Sequence, residues 1–353
     1  MRAKKLLCIG NYLNTSGAPL DAILIAEEAQ KLGWHAEAWF ICATGEAPTS
    51  QVPVRVFADH KPRTPWGWLA LLGKFYVALL RSNTTRVVSY YPLTNVMGAL
   101  TKPWGGFSFA ATQRNPAHAQ NPFVKLLDLV VGCTSLYTDN IVISHAVEKS
   151  FAHYPGAYRR RLKLVYNGLP PLAQGNLNQV NARQALGLPV KAWLLGNLGR
   201  LHAQKNLPLL LETLCLLPDA HLALAGEGPE RASLTAQASQ LGLTERVHFL
   251  GTLQGTEVSV FYQAIDIFAM PSSFEGFGRT LLEAMSQGVP VVASPLPVLQ
   301  EVGGGAAVHP SMTPSAWAEA LHLAQANRAK LSQRGRERSQ HFSMAAMVTG
   351  YLS

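Results

Sequence analysis

The stretch Ile265-Asp266-Ile267-Phe268-Ala269-Met270-Pro271-Ser272-Ser273-Phe274-Glu275-Gly276-Phe277-Gly278-Arg279-Thr280-Leu281-Leu282-Glu283-Ala284-Met285-Ser286-Gln287-Gly288-Val289-Pro290-Val291-Val292-Ala293 decides the fold. Its apolar, β-branched ends, Ile265–Met270 and Val289–Ala293, read as buried strands. Between them a glycine-containing loop leads into a helix that starts near Gly278–Thr280 and is ended by Gly288 and then Pro290. A strand, a helix and a second strand in so short a space form the repeating unit of a parallel sheet.

The same alternation runs outward in both directions. In the first half the strand candidates are Leu6–Leu13, His35–Cys42, Arg86–Pro92, Phe107–Gln113, Asn140–Ser144 and Leu162–Tyr166. In the second they are Trp193–Leu198, His221–Ala225, Val247–Leu250, Ile265–Met270, Val289–Ala293 and Ala306–His309. A break rich in Pro, Gln and Asn opens at Gly168 and runs to Pro189, where the chain loses its apolar period. For 353 residues, with domains of about 150 residues each, two domains are expected. They are residues 1–168 and 169–340, with a final helical segment, 341–353, packing back on the first. The fold class is α/β, two doubly wound domains.

Charge is unevenly spread. Residues 1–168 carry 18 Lys and Arg against 9 Asp and Glu, and residues 169–353 carry 12 of each. The surplus in the first half points to an anionic partner there, and solubility is its plain alternative. Within that half, Pro65–Arg81 combines Trp66, Trp68, Phe75 and Tyr76 with Lys74 and Arg81. Such a segment suits a helix at an anionic membrane surface, or equally a crossover helix on the sheet. The four cysteines, Cys8, Cys42, Cys133 and Cys215, are dispersed and read as small buried hydrophobes in a reducing compartment. Lys4-Lys5 and the apolar run after them are too short for a signal peptide, and no apolar run reaches the ~18–20 residues of a membrane span. A cytoplasmic location is expected, with peripheral attachment to the inner membrane face.

Amides at Gly278, Arg279 and Thr280 would point at an anion, and the helix dipole favours a phosphate there. Glu275 and Glu283 flank that place; a carboxylate accepts vicinal hydroxyls, so one would hold a ribose and the other a donor sugar. Glu275-x7-Glu283 within this segment resembles the signature of retaining GT-B glycosyltransferases of family 4. The likeness extends to Asn197-Leu198-Gly199-Arg200 with Lys205, similar to that family's phosphate-binding segment. Leu224-Ala225-Gly226-Glu227-Gly228-Pro229 resembles its glycine-rich turn, Val247-His248-Phe249-Leu250-Gly251 its nucleobase loop, and Tyr166-Asn167-Gly168 its interdomain strand end.

The resemblance implies two Rossmann-like domains facing across a cleft and transfer of a sugar from a nucleotide-diphosphate donor, UDP being the expected carrier, with retained configuration. It makes Glu275, Arg200 and Lys205 the catalytic set. Donor binding is expected of Gly17, Asn197, Gly226, Phe249, Gly276, Phe277, Gly278, Arg279, Thr280 and Glu283. In the first half, Gly17 stands in the family's glycine-rich loop, and Arg114 replaces its usual His, so Arg114 and Asn115 are expected on the acceptor side. Arg114 stays protonated and cannot act as a base. His118 and His145 read as structural. No Asp-x-Asp occurs in the chain, so Arg200, Lys205 and the helix start, not a metal, are expected to neutralise the leaving diphosphate; no cofactor is expected. The expected partners are the nucleotide-sugar donor, a glycan or lipid-linked acceptor such as a lipopolysaccharide intermediate, and an anionic membrane. The competing readings are a nucleotide-sugar epimerase and a nucleic-acid-binding protein. Only net charge supports the latter, since no recognition motif accompanies it, and no nucleic-acid partner is expected.

Overall fold

The computed structural model describes residues 4–13, 17–45, 49–117, 120–173 and 177–353. The chain divides into two compact units, Met1–Gly168 with Met344–Ser353, and Leu169–Ser343.

The first unit runs β1 (Lys5–Leu13), α1 (Gly17–Lys31), β2 (His35–Ala43), β3 (Val54–Ala58), α2 (Pro65–Leu80), β4 (Arg86–Ser89), α3 (Pro92–Ala99), α4 (Lys102–Gly105), β5 (Ser108–Gln113), α5 (Pro122–Gly132), β6 (Asp139–Val142), α6 (His145–Ser150), α7 (Gly156–Arg159) and β7 (Leu162–Leu164). Its described strands form one parallel sheet in the order β3-β2-β1-β4-β5-β6-β7. β1 is apolar throughout because both its faces are covered. Leu6 and Cys8 join Ala22, Ile25 and Ala29 of α1, while Leu7 and Ile9 join Leu71 and Phe75 of α2, Val96 of α3 and Val131 of α5. Each such large aliphatic side chain contributes about 1.5–3 kcal/mol by leaving water.

The second unit runs α8 (Gln179–Ala185), β8 (Trp193–Leu198), a 3₁₀ turn (Ala203–Lys205), α9 (Pro208–Cys215), β9 (Ala220–Ala225), α10 (Arg231–Gln240), β10 (Val247–Gly251), α11 (Thr256–Ala264), β11 (Ile267–Met270), α12 (Arg279–Ser286), β12 (Val291–Ala293), α13 (Pro297–Gly303), β13 (Ala307–Val308), α14 (Pro314–Ala326) and α15 (Arg328–Ser339). The described strands are again parallel, in the order β10-β9-β8-β11-β12-β13. Leucines of α9 and Trp317 and Leu321 of α14 cover one face. Asp266 ties the amino-terminal end of β11 down, accepting from Arg183 Nη2 (2.7 Å), Arg328 Nη1 (2.7 Å) and the Leu194 amide (2.8 Å). Both sheets are doubly wound, with reversals between β1 and β4 and between β8 and β11, the places where such sheets bind ligands at their carboxyl ends.

The last helix, α16 (Met344–Leu352), belongs to the first unit, where Met347, Val348 and Tyr351 complete the core on the α1 face. Buried Arg86 donates to Tyr351 O (3.0 Å) and Asp139 (2.6 Å), and Lys163 donates to Gly350 O (2.9 Å), so cations meet the carbonyl end of the helix.

Several expected boundaries move. The helix begins at Met344, not His341, because Ser343 bridges Leu169 and Phe342 O accepts from the Leu169 amide. The strand expected over Arg86–Pro92 stops at Ser89, since Pro92 starts α3 as its first helical residue. β3 was not anticipated; it is a short edge strand whose residues are exposed or half-buried. Cys215, expected to be buried, is exposed at the end of α9, whose inner face is taken by leucines. Pro65–Leu80 forms a crossover helix burying Leu71, Phe75 and Leu79, while Trp66 and Leu69 stay exposed. Among the described residues no helix is long and apolar enough to cross a membrane.

Candidate functional site

The carboxyl ends of β9, β8 and β11 bring together three loops. After β8 the chain turns through Gly199 and Arg200; after β9 it turns through Gly226 and Gly228. The Gly199 amide donates to Ala225 O (2.9 Å) and the Leu201 amide to Glu227 O (3.0 Å), lacing the turns together. Gly226 has φ +130°, and a Cβ there would lie 2.0 Å from Gly199 O, so only glycine lets the turns approach. Its amide donates to Gly251 O at the end of β10 (2.6 Å). Phe249, one turn away on β10, is half-buried, with the Arg231 guanidinium 3.9 Å from its ring centre.

The Lys205 turn is fastened to the loop after β11: the Ser273 amide donates to Gln204 O (2.8 Å), and Gln204 Nε2 donates to Phe274 O (2.9 Å). This places Lys205 Nζ 2.6 Å from Glu275 Oε1, and Ser272 Oγ donates to the same oxygen at 2.9 Å. The side chains of this pair are only 16% and 11% exposed. Arg200, by contrast, is exposed and makes no ion pair among the described residues. Beyond Gly276, α12 starts at Arg279 after Gly278, whose φ of +90° suits glycine and which has no side chain to cap the first turn. Arg279 and Thr280 are half-buried on that turn.

Thus Arg200, Lys205, Gly226, Phe249, Glu275, Gly276, Gly278, Arg279 and Thr280 gather on one end of the second sheet. Three expected ligand-binding residues lie deeper. Asn197 is buried and donates its amide to Ala269 O (2.7 Å), bridging β8 and β11. Phe277 is buried with its ring against Phe342, centroids 5.7 Å apart. Glu283 is 8% exposed and accepts from Tyr262 Oη at 2.9 Å. Burial and the Glu283 carboxylate push the Tyr262 phenol well above its usual range, so it stays a donor. Nothing in the sequence pointed to Tyr262, 21 residues upstream on α11; Ser272 and Gln204 lay inside the recognised segments without a role.

The remaining expected residues belong to the first unit. Arg114, half-buried after β5, is in a tight ion pair with Asp21 of α1, its guanidinium 5.8 Å from the Tyr90 ring centre. Burial opposes its charge, and Asp21 together with Tyr351, Tyr90 and Tyr91 more than offsets that. Arg114 is therefore held by a carboxylate and not open to a ligand on that side, and Asn115 beside it is exposed. Gly17 is the first residue of α1; the loop residues 14–16 before it, and His118, lie outside the described residues. His145 starts α6 and pairs with Glu148 (2.9 Å). Among the described residues no three His, Cys, Asp or Glu side chains converge as a metal cage.

Residues 178–341 match the model of the glycosyl transferases of group 1. A D-inositol 3-phosphate glycosyltransferase of Mycolicibacterium gilvum is 36% identical over 206 residues, 54% of this chain and 46% of that protein. The O-antigen biosynthesis glycosyltransferase WclY of Escherichia coli is 29% identical over 219 residues, 61% of each chain. The matches span about half the length of these curated relatives. Over the whole chain, the crystal structure of HepE from Anabaena in complex with UDP and glucose superimposes with a TM-score of 0.84 at 20% identity, covering 98% of this chain and 97% of that one. The fold is of the GT-B type.

Proposed function

We propose that the protein is a retaining glycosyltransferase that moves a sugar from a nucleoside diphosphate, UDP in the first instance, to a hydroxyl of a glycan or lipid-linked acceptor, without a metal ion. The observation that carries this reading is the meeting of the Arg200 turn, the Lys205–Glu275 pair and the start of α12 at one sheet end, within residues matched to the family. As the glycosidic bond breaks, negative charge grows on the leaving diphosphate. Arg200 can give two N–H donors to one phosphate, Lys205 a point charge, and the first turn of α12 its dipole. A bound diphosphate competes with Glu275 for Lys205, which releases Glu275 Oε1 to accept sugar hydroxyls. The leaving phosphate then assists deprotonation of the acceptor on the same face of the sugar, retaining configuration.

UDP and glucose in the HepE structure, and the O-antigen role named for WclY, support the choice of donor and acceptor class to test first. Acceptor recognition is assigned to the first unit. Its basic surplus, with exposed Trp66, Trp104 and Phe123, supports attachment to an anionic membrane surface.

The test is thermal stabilisation by UDP, GDP and ADP in the presence of EDTA, for wild type and for Arg200→Ala and Lys205→Ala. Stabilisation by one nucleotide, weakened in both variants, supports the donor site and names the base; no shift with any of the three would overturn it. Transfer assays with and without acceptor separate a transferase from an epimerase, and the anomeric proton coupling of the product reports retention.

A further inference from the structure

We infer that the first unit carries a second anion site, for a phosphate-bearing ligand, in the groove between α2 and strands β2 and β3. The groove has a volume of about 780 Å³ and is lined by Lys5, Trp39, Arg55, Phe57, Lys74 and Arg81, among others. Lys5 opens β1 and Arg81 follows α2 just before β4, so the groove reaches the amino-terminal end of the sheet, opposite the end that holds Arg114 and Asp21. A neighbouring hollow of about 710 Å³ shares Lys5, Arg81 and Ser82.

Four cations face this groove and one carboxylate, Glu37, stands beside them. Glu37 accepts from Lys5 Nζ (2.9 Å) and from Trp39 Nε1 (2.9 Å). Burial would raise its pKa, but Lys5, Trp39 and Arg55 together hold it below the usual carboxylate range. Glu37 is thus ionised at neutral pH and offsets only one of the four charges. Arg55 is fixed by stacking, its guanidinium 4.5 Å from the Phe57 ring centre and 5.1 Å from that of Trp39. Lys74 and Arg81 are exposed and make no ion pair among the described residues. Like charges gathered in a hollow repel one another, and an anion with several acceptor oxygens relieves that repulsion best.

The shape of α2 agrees. A Cβ added at Gly73 would meet nothing within 4 Å, so the helix presents open space over the groove between Lys74 and the sheet. Trp66 and Leu69 are exposed further along the same helix. A phosphate in solution would use the cationic groove alone, whereas a lipid phosphate would also use those side chains.

The experiment compares wild type with two groove variants and a control. One variant removes three groove charges (Arg55→Gln, Lys74→Gln, Arg81→Gln); the second, Gly73→Gln, fills the groove without changing charge. The control removes three exposed charges elsewhere in the unit (Lys149→Gln, Arg159→Gln, Arg160→Gln). Inorganic phosphate is titrated calorimetrically, and sedimentation is measured with phosphatidylcholine vesicles with and without phosphatidylglycerol. Both groove variants are expected to lose about tenfold or more in affinity, with the control near wild type. Loss in the phosphate titration identifies a soluble ligand, and loss confined to phosphatidylglycerol vesicles identifies a lipid headgroup. Equal loss in the control, undiminished binding by Gly73→Gln, or no binding of either probe by wild type overturns the inference. Stabilisation by UDP should be the same in all four proteins, so a missing UDP response counts against the donor site and not against this groove.

Discussion

In the second unit the Lys205–Glu275 pair hangs between two loops on the rim of the sheet, whereas in the first unit the Arg114–Asp21 pair is set below Tyr90. Both join a cation to a carboxylate at the carboxyl end of a doubly wound sheet, and both are largely shielded from water. The difference lies in the cation and its surroundings. Lys205 is a point charge on a flexible stem that can turn from Glu275 to a phosphate, while Arg114 is planar, wedged by an aromatic ring and matched to a carboxylate that is 3% exposed. The proposed donor site would have a ligand exchange the first pair, whereas the second holds α1 against the end of β5.

That contrast can be broken most forcefully at Asp21. Asp21→Asn leaves the Arg114 charge shielded and uncompensated, and urea unfolding should report a loss of about 3–5 kcal/mol. A loss within the range of a surface pair would erase the distinction. Gly226→Ala comes next, since its Cβ would press on Gly199 O and its φ is positive; about 1–3 kcal/mol of stability should go, together with nucleotide binding, because the Arg200 turn is displaced. Lys205→Ala sharpens the comparison from the other side. Stability should fall by about 1–2 kcal/mol, since Glu275 loses its cation but keeps the Ser272 hydroxyl, yet sugar transfer should fall on the order of 10²-fold in steady-state assays, with activity insensitive to EDTA in both proteins. The smallest effect separates the units by thiol chemistry. Burial pushes the Cys8 thiol up to about 12, so native protein at pH 8 should leave it unmodified by a thiol reagent while exposed Cys215 reacts, as mass mapping would show.

Much of this architecture was legible because parallel strands buried on both faces announce themselves as short apolar runs, as Leu6–Ile9 and Ile267–Met270 do. β3 escaped because an edge strand needs only a half-apolar pattern, and Val54-Arg55-Val56 is too short to show one. In the site, Arg200, Lys205 and Glu275 were readable as loop residues following strands. Spacing could not say which way a residue points, so the inward turn of Phe277 and Glu283 came only with the structure, as did the bridge from Asn197 to Ala269 O. The partners were least legible. Tyr262 reaches Glu283 from a different helix, and Asp21 meets Arg114 across 93 positions of sequence, where nothing in either neighbourhood signals the other.

The return of α16 to the first unit has a consequence for synthesis. Met347, Val348 and Tyr351 leave the ribosome only after the whole of Leu169–Ser343, a continuous segment with its own core. The second unit can therefore mature while the first still lacks the helix that covers Val165 and accepts from Arg86 and Lys163. A chain truncated after Ser343 should therefore expose an apolar face of the first sheet to chaperones and proteases while Leu169–Ser343 resists them.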